Sequence, residues 1–439
     1  MNEEGNKVTP PVKALSPAAV KRKQRIAEIN LAWHATKTQK LWRGYVIRKQ
    51  KIISLAHKAT FSWPEPLKED FSRPELNPPL FLDATANLEW IGKHRKILIR
   101  TVTWNLCALP PPPTEYLQTI LPRNRFHMYV IGTEECERSI AQSAINPSKK
   151  NWESDLQLAV GALYVPLRSH TLQAIHLMAF VHHAIVSLIT EVTSAAIPMG
   201  IGNAMGNKGS VALSFKVAAT RFVFVNAHLE AHQNAVSTRN VQINRTHRDM
   251  ALMLKRGVVA KMKSTIDDVD GGILLSKLLP DDCAEPLDKY AERLVLMGDF
   301  NYRVNGNRDI VDSMLRLNMH KALLGNDQLR IAQASGEAFV GYTEAPLNFR
   351  PTYKFEIGAD DYDTSSKRRI PSWTDRILFM PNGMQCIAYN ADTNIRTSDH
   401  RPVFASFKAD IEFGSSDYVI VDGNKTIEFL AQSQVCCVS

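Results

Sequence analysis

The sequence predicts an α/β fold built around one large domain, on three observations. Its 439 residues are 44% hydrophobic and 22% charged, the balance of an ordinary globular chain rather than a disordered, collagenous or coiled-coil one. From Ile97 onward, short apolar runs alternate with polar clusters, which is the pattern of strands bounded by turns. The stretch from about Val259 to Glu292 reads instead as helix and loop. A chain of this length holds one domain of ~250–300 residues with extensions, or two to three smaller ones.

Composition excludes several classes. No run reaches the ~18 uninterrupted apolar residues of a membrane span; the richest, Leu172 to Thr190, is broken by His176, His182 and His183. The opening MNEEGNK is polar and mixed in charge, so no secretory signal is expected. Cysteines at 107, 136, 283, 386, 436 and 437 show neither C-x-x-C spacing nor a dense framework, which suits a reducing compartment. The N-x-T sequons at Asn244 and Asn424 are then expected to go unused.

The formal net charge of +9 is concentrated near the N-terminus. Between Lys21 and Lys58 there are eleven Lys or Arg and one acidic residue, Glu28; the rest of the chain carries 42 basic against 43 acidic residues. The excess therefore belongs to one segment, and no nucleic-acid partner is expected for the rest.

The first element, residues 1–60, is a basic helical segment. Ser16-Pro17 reads as an N-cap with Pro at the first helical position. Val20, Ile26, Ile29, Trp33, Leu41, Tyr45, Ile52 and Leu55 follow at roughly helical intervals. Such a helix lies on an anionic membrane or is gripped by calmodulin; the alternative is a solvated helix packed on its own domain. Gln39, Arg43, Gly44 and Arg48 resemble the IQ motif, with Thr38 where that motif has an aliphatic residue. Calmodulin is the partner this resemblance implies. Residues 61–94, Pro-rich between Trp63 and Pro79, read as a linker.

The domain itself is expected over residues 95–409. Ile97–Asn105 reads as a strand ending in Asn, Tyr129–Glu135 as one ending in carboxylates, and Phe222–His228 as one ending in His. Leu294–Asn301 ends in Asp and Asn, and a last run opens onto Ser398-Asp399-His400. One polar strand end is commonplace. Five, carrying Asn, Glu, His, Asp/Asn and Asp/His, form a set suited to holding a hard divalent cation and hydrolysing a phosphate. Mg²⁺ prefers oxygen ligands and keeps several waters, so a few carboxylates and an amide suffice. A hydrolytic water needs a carboxylate or imidazole to orient it, and the phosphoryl oxygens need fixed donors. No Cys or Ser sits in a phosphate-cradling loop, so direct attack by water is expected rather than a covalent phospho-enzyme.

Eight segments carry a family resemblance: WNLC at 104, IGTEE at 131, GNKGSVALSF at 206, NAHLEAH at 226, GDFNYR at 298, PTYKF at 351, KRRIPSWTDRILF at 367 and SDHRPV at 398. Together, over about Ile97 to Lys408, they resemble the inositol polyphosphate 5-phosphatases. These are Mg²⁺ enzymes of the endonuclease/exonuclease/phosphatase superfamily, with a DNase I-like four-layer α/β/β/α sandwich. GDFN and SDH recur across that superfamily, whereas PTYKF combined with KRRIPSWTDRIL is specific.

The resemblance implies roles residue by residue. Glu135 is the principal metal ligand, with Asn105 completing the site and Asp399 binding the metal or its water shell. Asp299 activates the attacking water, and Asn301 holds the phosphoryl group in the transition state. His228 and His400 donate to phosphate oxygens, His400 being oriented by Asp375; a carboxylate behind a His fixes its tautomer and supports its charge. Tyr353, Lys354, Lys367 and Arg369 match positions that grip a neighbouring 4-phosphate, and clustered cationic donors are what such a phosphate demands. Lys208 is placed for phosphate contact in the Gly-rich loop. Glu134 stands where relatives often carry Gln and reads as a surface carboxylate. Cys107 stands where they often carry Asn and reads as a small buried hydrophobe. Lys208 has a loop-stabilising alternative, and His182, His183, His232 and His247 read as structural or exposed. Met297 and Phe300 read as core.

The last element, residues 410–439, is an acidic tail. It closes on Cys436-Cys437-Val438-Ser439, a C-a-a-X pattern pointing to prenylation of Cys436. One lipid chain anchors weakly without a second signal, which the basic N-terminal segment would supply.

The expected activity is Mg²⁺-dependent hydrolysis of the 5-phosphate of phosphatidylinositol 4,5-bisphosphate or 3,4,5-trisphosphate at the cytoplasmic membrane face. The alternatives are a soluble inositol polyphosphate 5-phosphatase and a nuclease- or sphingomyelinase-like phosphodiesterase on the same scaffold.

Overall fold

Strand parity decides the architecture. In β1 (Lys96–Asn105), Ile97 and Ile99 point one way while Leu98, Val102 and Trp104 point the other, as the period-2 pleat requires. Both faces are apolar because both are covered, so the strand is buried almost throughout. The computed structural model describes residues 62–79, 84–136, 149–200, 208–265 and 285–414, together with the paired two-residue strands Val419–Ile420 and Ile427–Glu428. The IQ-like residues Gln39, Arg43, Gly44 and Arg48 and the C-a-a-X residue Cys436 lie outside the described residues.

After α1 (Ala84–His94) and β1 come α2 (Thr114–Ile120), β2 (Met128–Glu134), α3 (Lys150–Val160), β3 (Tyr164–Leu172) and β4 (Ile175–His182). Then follow β5 (Ile189–Pro198), β6 (Gly209–Val217), β7 (Thr220–His228), α4 (Val236–Thr265), α5 (Leu287–Tyr290) and β8 (Arg293–Asp299). The helices α6 (Arg308–Arg316), α7 (His320–Leu324) and α8 (Gln328–Ala334) precede β9 (Thr343–Glu344), β10 (Asp375–Phe379), β11 (Met384–Ala391) and β12 (Val403–Asp410).

Two six-stranded sheets result, ordered β11-β12-β1-β2-β4-β3 and β5-β6-β7-β8-β10-β9. Each is mixed: β1 runs parallel to β2 and β7 parallel to β8, while β12 and β10 join antiparallel. Ile97, Ile99, Met128 and Val130 of the first sheet pack with Phe222, Phe224, Val295 and Met297 of the second to form the central core. Outer residues of the first sheet pack with Leu117 and Ile120 of α2 and with Trp152 and Leu156 of α3. Those of the second pack with Met250 and Leu254 of α4. Helices, sheet, sheet and helices make the four layers expected. Met297 and Phe300 are core, as read from the sequence.

The stretch expected as a linker is instead part of the domain. Leu67 bridges to Tyr389 beside β11, and Trp63 lies against Trp373 and His320. Glu69 pairs with the buried Arg100 at 2.6 Å, Leu76 is buried in the outer core and Ile91 of α1 in the central one. The prolines that suggested a linker serve an extended strap: they favour extended backbone without dictating solvation.

Among the described residues, no helix is long and apolar enough to cross a membrane.

Candidate active site

The inward-facing rows of four strands change from apolar to polar at one end. On β1 the row reaches Thr103 and Asn105, on β2 Gly132 and Glu134, on β7 Asn226 and His228, and on β8 it ends at Asp299. Parallel pairing of β1 with β2 and of β7 with β8 brings these ends to the same side. The partner strands explain the rest of the set. Asp375 opens β10 and lies directly opposite Asp299 in antiparallel register. Asp399 and His400 precede β12, whose start pairs with the end of β1, Thr103 opposite Val403. The expectation that Asp399 and His400 close a fifth strand is thus corrected: antiparallel neighbours begin where their partners finish, so they contribute from their N-terminal ends.

Asp299 is almost fully buried and sits at the centre. Its Oδ2 accepts from Asn105 Nδ2 at 3.1 Å and lies 3.4 Å from His228 Nε2; its Oδ1 accepts from the Asn301 backbone N–H at 3.0 Å. Asn301 has φ 56°, a left-handed turn that asparagine tolerates better than most residues. Its Nδ2 donates to Leu229 O at 3.1 Å, which leaves the second N–H of that amide for another acceptor.

His400 and Asp375 form a buried dyad, Nδ1 to Oδ2 at 3.0 Å. Thr352 and Thr374 also donate to Asp375 Oδ2, at 2.7 and 2.9 Å, so this carboxylate is fixed before it meets the imidazole. Burial opposes charge on His400, but Asp375 overrides it and raises the ring to about 10. The free edge, Nε2, is 3.9 Å from Asp399. Burial also opposes charge on Asp399, yet His400 and Lys354 hold that carboxyl below its usual range. Lys354 Nζ donates to Asp399 Oδ2 at 2.6 Å.

His228 differs from His400. Burial, and then the Lys208 ammonium, push it well below the usual imidazole value. Its Nε2 accepts from Lys208 Nζ at 2.5 Å, and its Nδ1 has no hydrogen-bond partner. This tautomer follows from the network. The expectation that His228 is the donor at this corner shifts accordingly: the proton facing the cleft is on Lys208. Lys208 is itself buried, which lowers its ammonium against the pull of Asp299 and Glu135. It reaches the cleft rather than only bracing a loop.

Glu134 corrects the sequence reading outright. It is fully buried between the sheets, and burial, followed by the charges of Asp299 and Asp375, pushes its carboxyl well above the usual range. Glu134 Oε2 and Asn226 Oδ1 both lack a partner; a proton on the carboxyl gives the pair its missing donor and makes the neutral acid the counterpart of an amide. Gly132 belongs to the same arrangement, since a Cβ there would lie 2.5 Å from the Asn226 side chain. Position 134 shares the inward parity of 128 and 130, so its burial is legible in the strand pattern.

Glu135 follows the strand with φ 49° and is half-buried. Cys107, read as a buried hydrophobe, lines the cleft half-exposed. Burial and then Asp399 push its thiol up to about 12, so it is protonated and donates to that carboxylate.

The oxygen donors Glu135, Asn105, Asp299 and Asp399 are the chemistry a hard divalent cation takes, and the ammonium groups of Lys354 and Lys208 stand among these carboxylates. The donor set fits a cation. A second grouping, Asp299, Asp375 and His400, has ligand atoms within 4.8 Å of one another. There, however, Asp375 and His400 Nδ1 are committed to each other, so these two serve the site better as a dyad than as ligands.

The phosphate-gripping set is brought together in part. The Tyr353 ring lies 4.5 Å from that of His400. Asp363 N donates to Lys354 O at 2.8 Å, and Asp363 Oδ2 accepts from Arg369 N at 2.6 Å, so one loop carries Lys354 and Arg369 close together. Lys367 is exposed on the same loop. Arg303, within GDFNYR, has no role that the resemblance implies. Its guanidinium donates to the side-chain oxygen and the carbonyl of Asn301 and lies 4.4 Å over the Tyr353 ring, joining two motifs. His182 is buried, and His247 sits between Tyr342 and Asp288, both away from this chemistry.

The geometry can be set beside known proteins. A model of endonuclease/exonuclease/phosphatase family 2 matches residues 102–406. Human phosphatidylinositol polyphosphate 5-phosphatase type IV is 30% identical over 341 residues, 75% of this chain and 48% of that protein. Caenorhabditis elegans synaptojanin is 33% identical over 289 residues, 64% of this chain and 23% of that protein. The chain thus spans no more than about half the length of these curated relatives. The inositol polyphosphate 5-phosphatase domain of SPsynaptojanin, solved in complex with inositol (1,4)-bisphosphate and calcium ion, superposes with a TM-score of 0.58 at 29% identity, covering 72% of this chain and 85% of that one. Cimex nitrophorin, at 21% identity and a TM-score of 0.53 over 72% of this chain and 99% of its own, shares the fold alone. With the fold, the buried dyad and the match over residues 102–406 in agreement, the chain belongs to endonuclease/exonuclease/phosphatase family 2.

Proposed function

We propose that this chain hydrolyses the 5-phosphate of phosphoinositides, phosphatidylinositol 4,5-bisphosphate or 3,4,5-trisphosphate, with Mg²⁺. The observation that carries the reading is the junction of the Asp299 centre and the His400–Asp375 dyad with Tyr353 and Lys354 alongside. Glu135, Asn105 and Asp399 would hold the metal, which when bound supplies Lewis-acid charge to the phosphoryl oxygens. Asp299 orients and deprotonates the attacking water, its own position fixed by Asn105 and Asn301. His400 meets the developing charge as a cation, and Lys208 and the second N–H of Asn301 add donors. Lys354, whose ammonium now bonds Asp399, would with Tyr353, Lys367 and Arg369 grip a 4-phosphate, and a cation held by Asp399 would compete with that lysine for the carboxylate.

The lipid rather than the soluble headgroup rests on sequence: the basic segment at 21–58 and Cys436 would hold the site against the cytoplasmic leaflet, and calmodulin at Gln39–Arg48 would mask one of the two contacts. Phosphate release measured across inositol lipids, soluble headgroups and DNA tests the whole reading. Release from 4,5-substituted lipids that stops on chelation supports it; nuclease activity without inositide hydrolysis would overturn it. Vesicle binding unchanged by Ca²⁺-calmodulin would remove the calmodulin part alone.

A further inference from the structure

Leu109 to Thr114, LPPPPT, joins the end of β1 to α2 and has no part in the hydrolysis described above. Proline fixes its own φ near −65°, and each residue before a proline is confined to extended backbone. Four prolines in a row therefore set this segment as polyproline II through covalent structure alone. Pro113, with φ −52° and ψ 148°, has that geometry. At three residues per turn, positions i and i+3 share an edge. The burial follows that period: Pro110 and Pro113 are exposed, Pro111 is half-buried and Pro112 is buried. One edge is seated in the fold, and the Pro110-x-x-Pro113 edge faces solvent. Glu115 and Tyr116 are exposed immediately beyond it. Among the described residues, no backbone N–H donates to the carbonyls of residues 110–112. A loop that needed only stiffness would gain it from the prolines without displaying this edge.

We propose that Leu109–Tyr116 is a docking site for a protein module whose aromatic-lined groove reads polyproline II, with a basic flank meeting Glu115. Aromatic rings of the groove pack against Pro110 and Pro113, and their polar tips donate to proline carbonyls. The segment is already in its bound form, which reduces the ordering cost of association. Since Cys107 of the same loop lines the catalytic cleft, a seated module would stand next to it. The site is independent of which inositide is cut.

The test titrates the full chain into fluorescently labelled SH3, WW and EVH1 domains and follows anisotropy. At least one class is expected to bind with a Kd below about 100 μM, an affinity readily measured this way, and a peptide covering residues 107–117 should compete. The double variant Pro110→Ala/Pro113→Ala should weaken binding at least tenfold, whereas Pro111→Ala, off the displayed edge, should change it less than twofold. Glu115→Lys leaves every proline in place and should weaken binding severalfold. No binding by any class, or full binding by both the double variant and Glu115→Lys at unchanged melting temperature, would overturn the proposal.

Discussion

Asp299 and Asp375 face each other across two strands, and two carboxylates so placed would repel without their donors. Asn105 and the Asn301 backbone satisfy one; Thr352, Thr374 and His400 satisfy the other. Asp299→Ala should therefore lower kcat by about 10²–10⁴-fold, the usual worth of a positioned base, while vesicle binding stays near the parent's. Substantial turnover in that variant would remove Asp299 from the mechanism. His400 depends on Asp375 for its charge. Asp375→Asn should move the alkaline limb of the kcat/KM profile to lower pH, because the ring then loses the group that raises it to about 10. An unmoved limb would mean that His400 does not act as the cation. Lys354→Ala should raise KM for substrates bearing a 4-phosphate by about 10-fold or more, as expected for loss of a charge-assisted hydrogen bond, and leave substrates without one little changed. Equal loss on both would end its role in selectivity.

Elements contribute by fixing where these side chains start. The strap at 62–79 runs from the β11 edge of the first sheet, where Leu67 bridges Tyr389, to β12 and β1, where Glu69 bonds both Ser406 and Arg100. Arg100 is buried and lies over Phe404 at 4.1 Å, so Glu69→Ala leaves a buried cation without its carboxylate. The expected cost is about 3 kcal/mol, read as a lower urea midpoint; a midpoint within error of the parent would show the strap to be dispensable. At the other edge, Asp327 caps α8 through the Arg330 N–H and also pairs with Arg376, which bonds Glu344 as well. Arg376 follows Asp375 in β10, so this buried network secures the strand that presents the dyad. Sequence reasoning located PSWTDR but not this support, because Asp327 and Glu344 are distant in sequence and belong to no motif.

Across the whole molecule, the buried histidines held neutral make acid a vulnerable direction, unlike His400, whose ring is raised. His127 accepts from the Leu98 N–H through Nδ1 at 2.9 Å and meets Asn87 through Nε2, an arrangement that requires the neutral ring. Burial lowers it to about 3, and His176 likewise. Their folded values lie below the unfolded one of about 6.5. The unfolded chain therefore takes up more protons, and stability present above about pH 6.5 is lost as pH falls toward 3. The melting temperature should drop across that window, and His127→Gln should drop less steeply even if it starts lower. A parallel decline in the variant would clear His127.

Much of the site was legible without coordinates. Polar residues at four strand ends and eight ordered motifs single out the cleft, because a site that holds a hard cation admits few residue types. Strand identity was legible as well, since period-2 apolar runs bury themselves in only one way. What tertiary structure alone decided are the pairings: Glu134 as a neutral acid beside Asn226, Lys208 on His228, Arg303 spanning Asn301 and Tyr353, and the proline strap as part of the domain. Each depends on which strand lies next to which. Local sequence encodes the pleat and the residue, but not the neighbour across the sheet, and a buried charge takes its state from that neighbour.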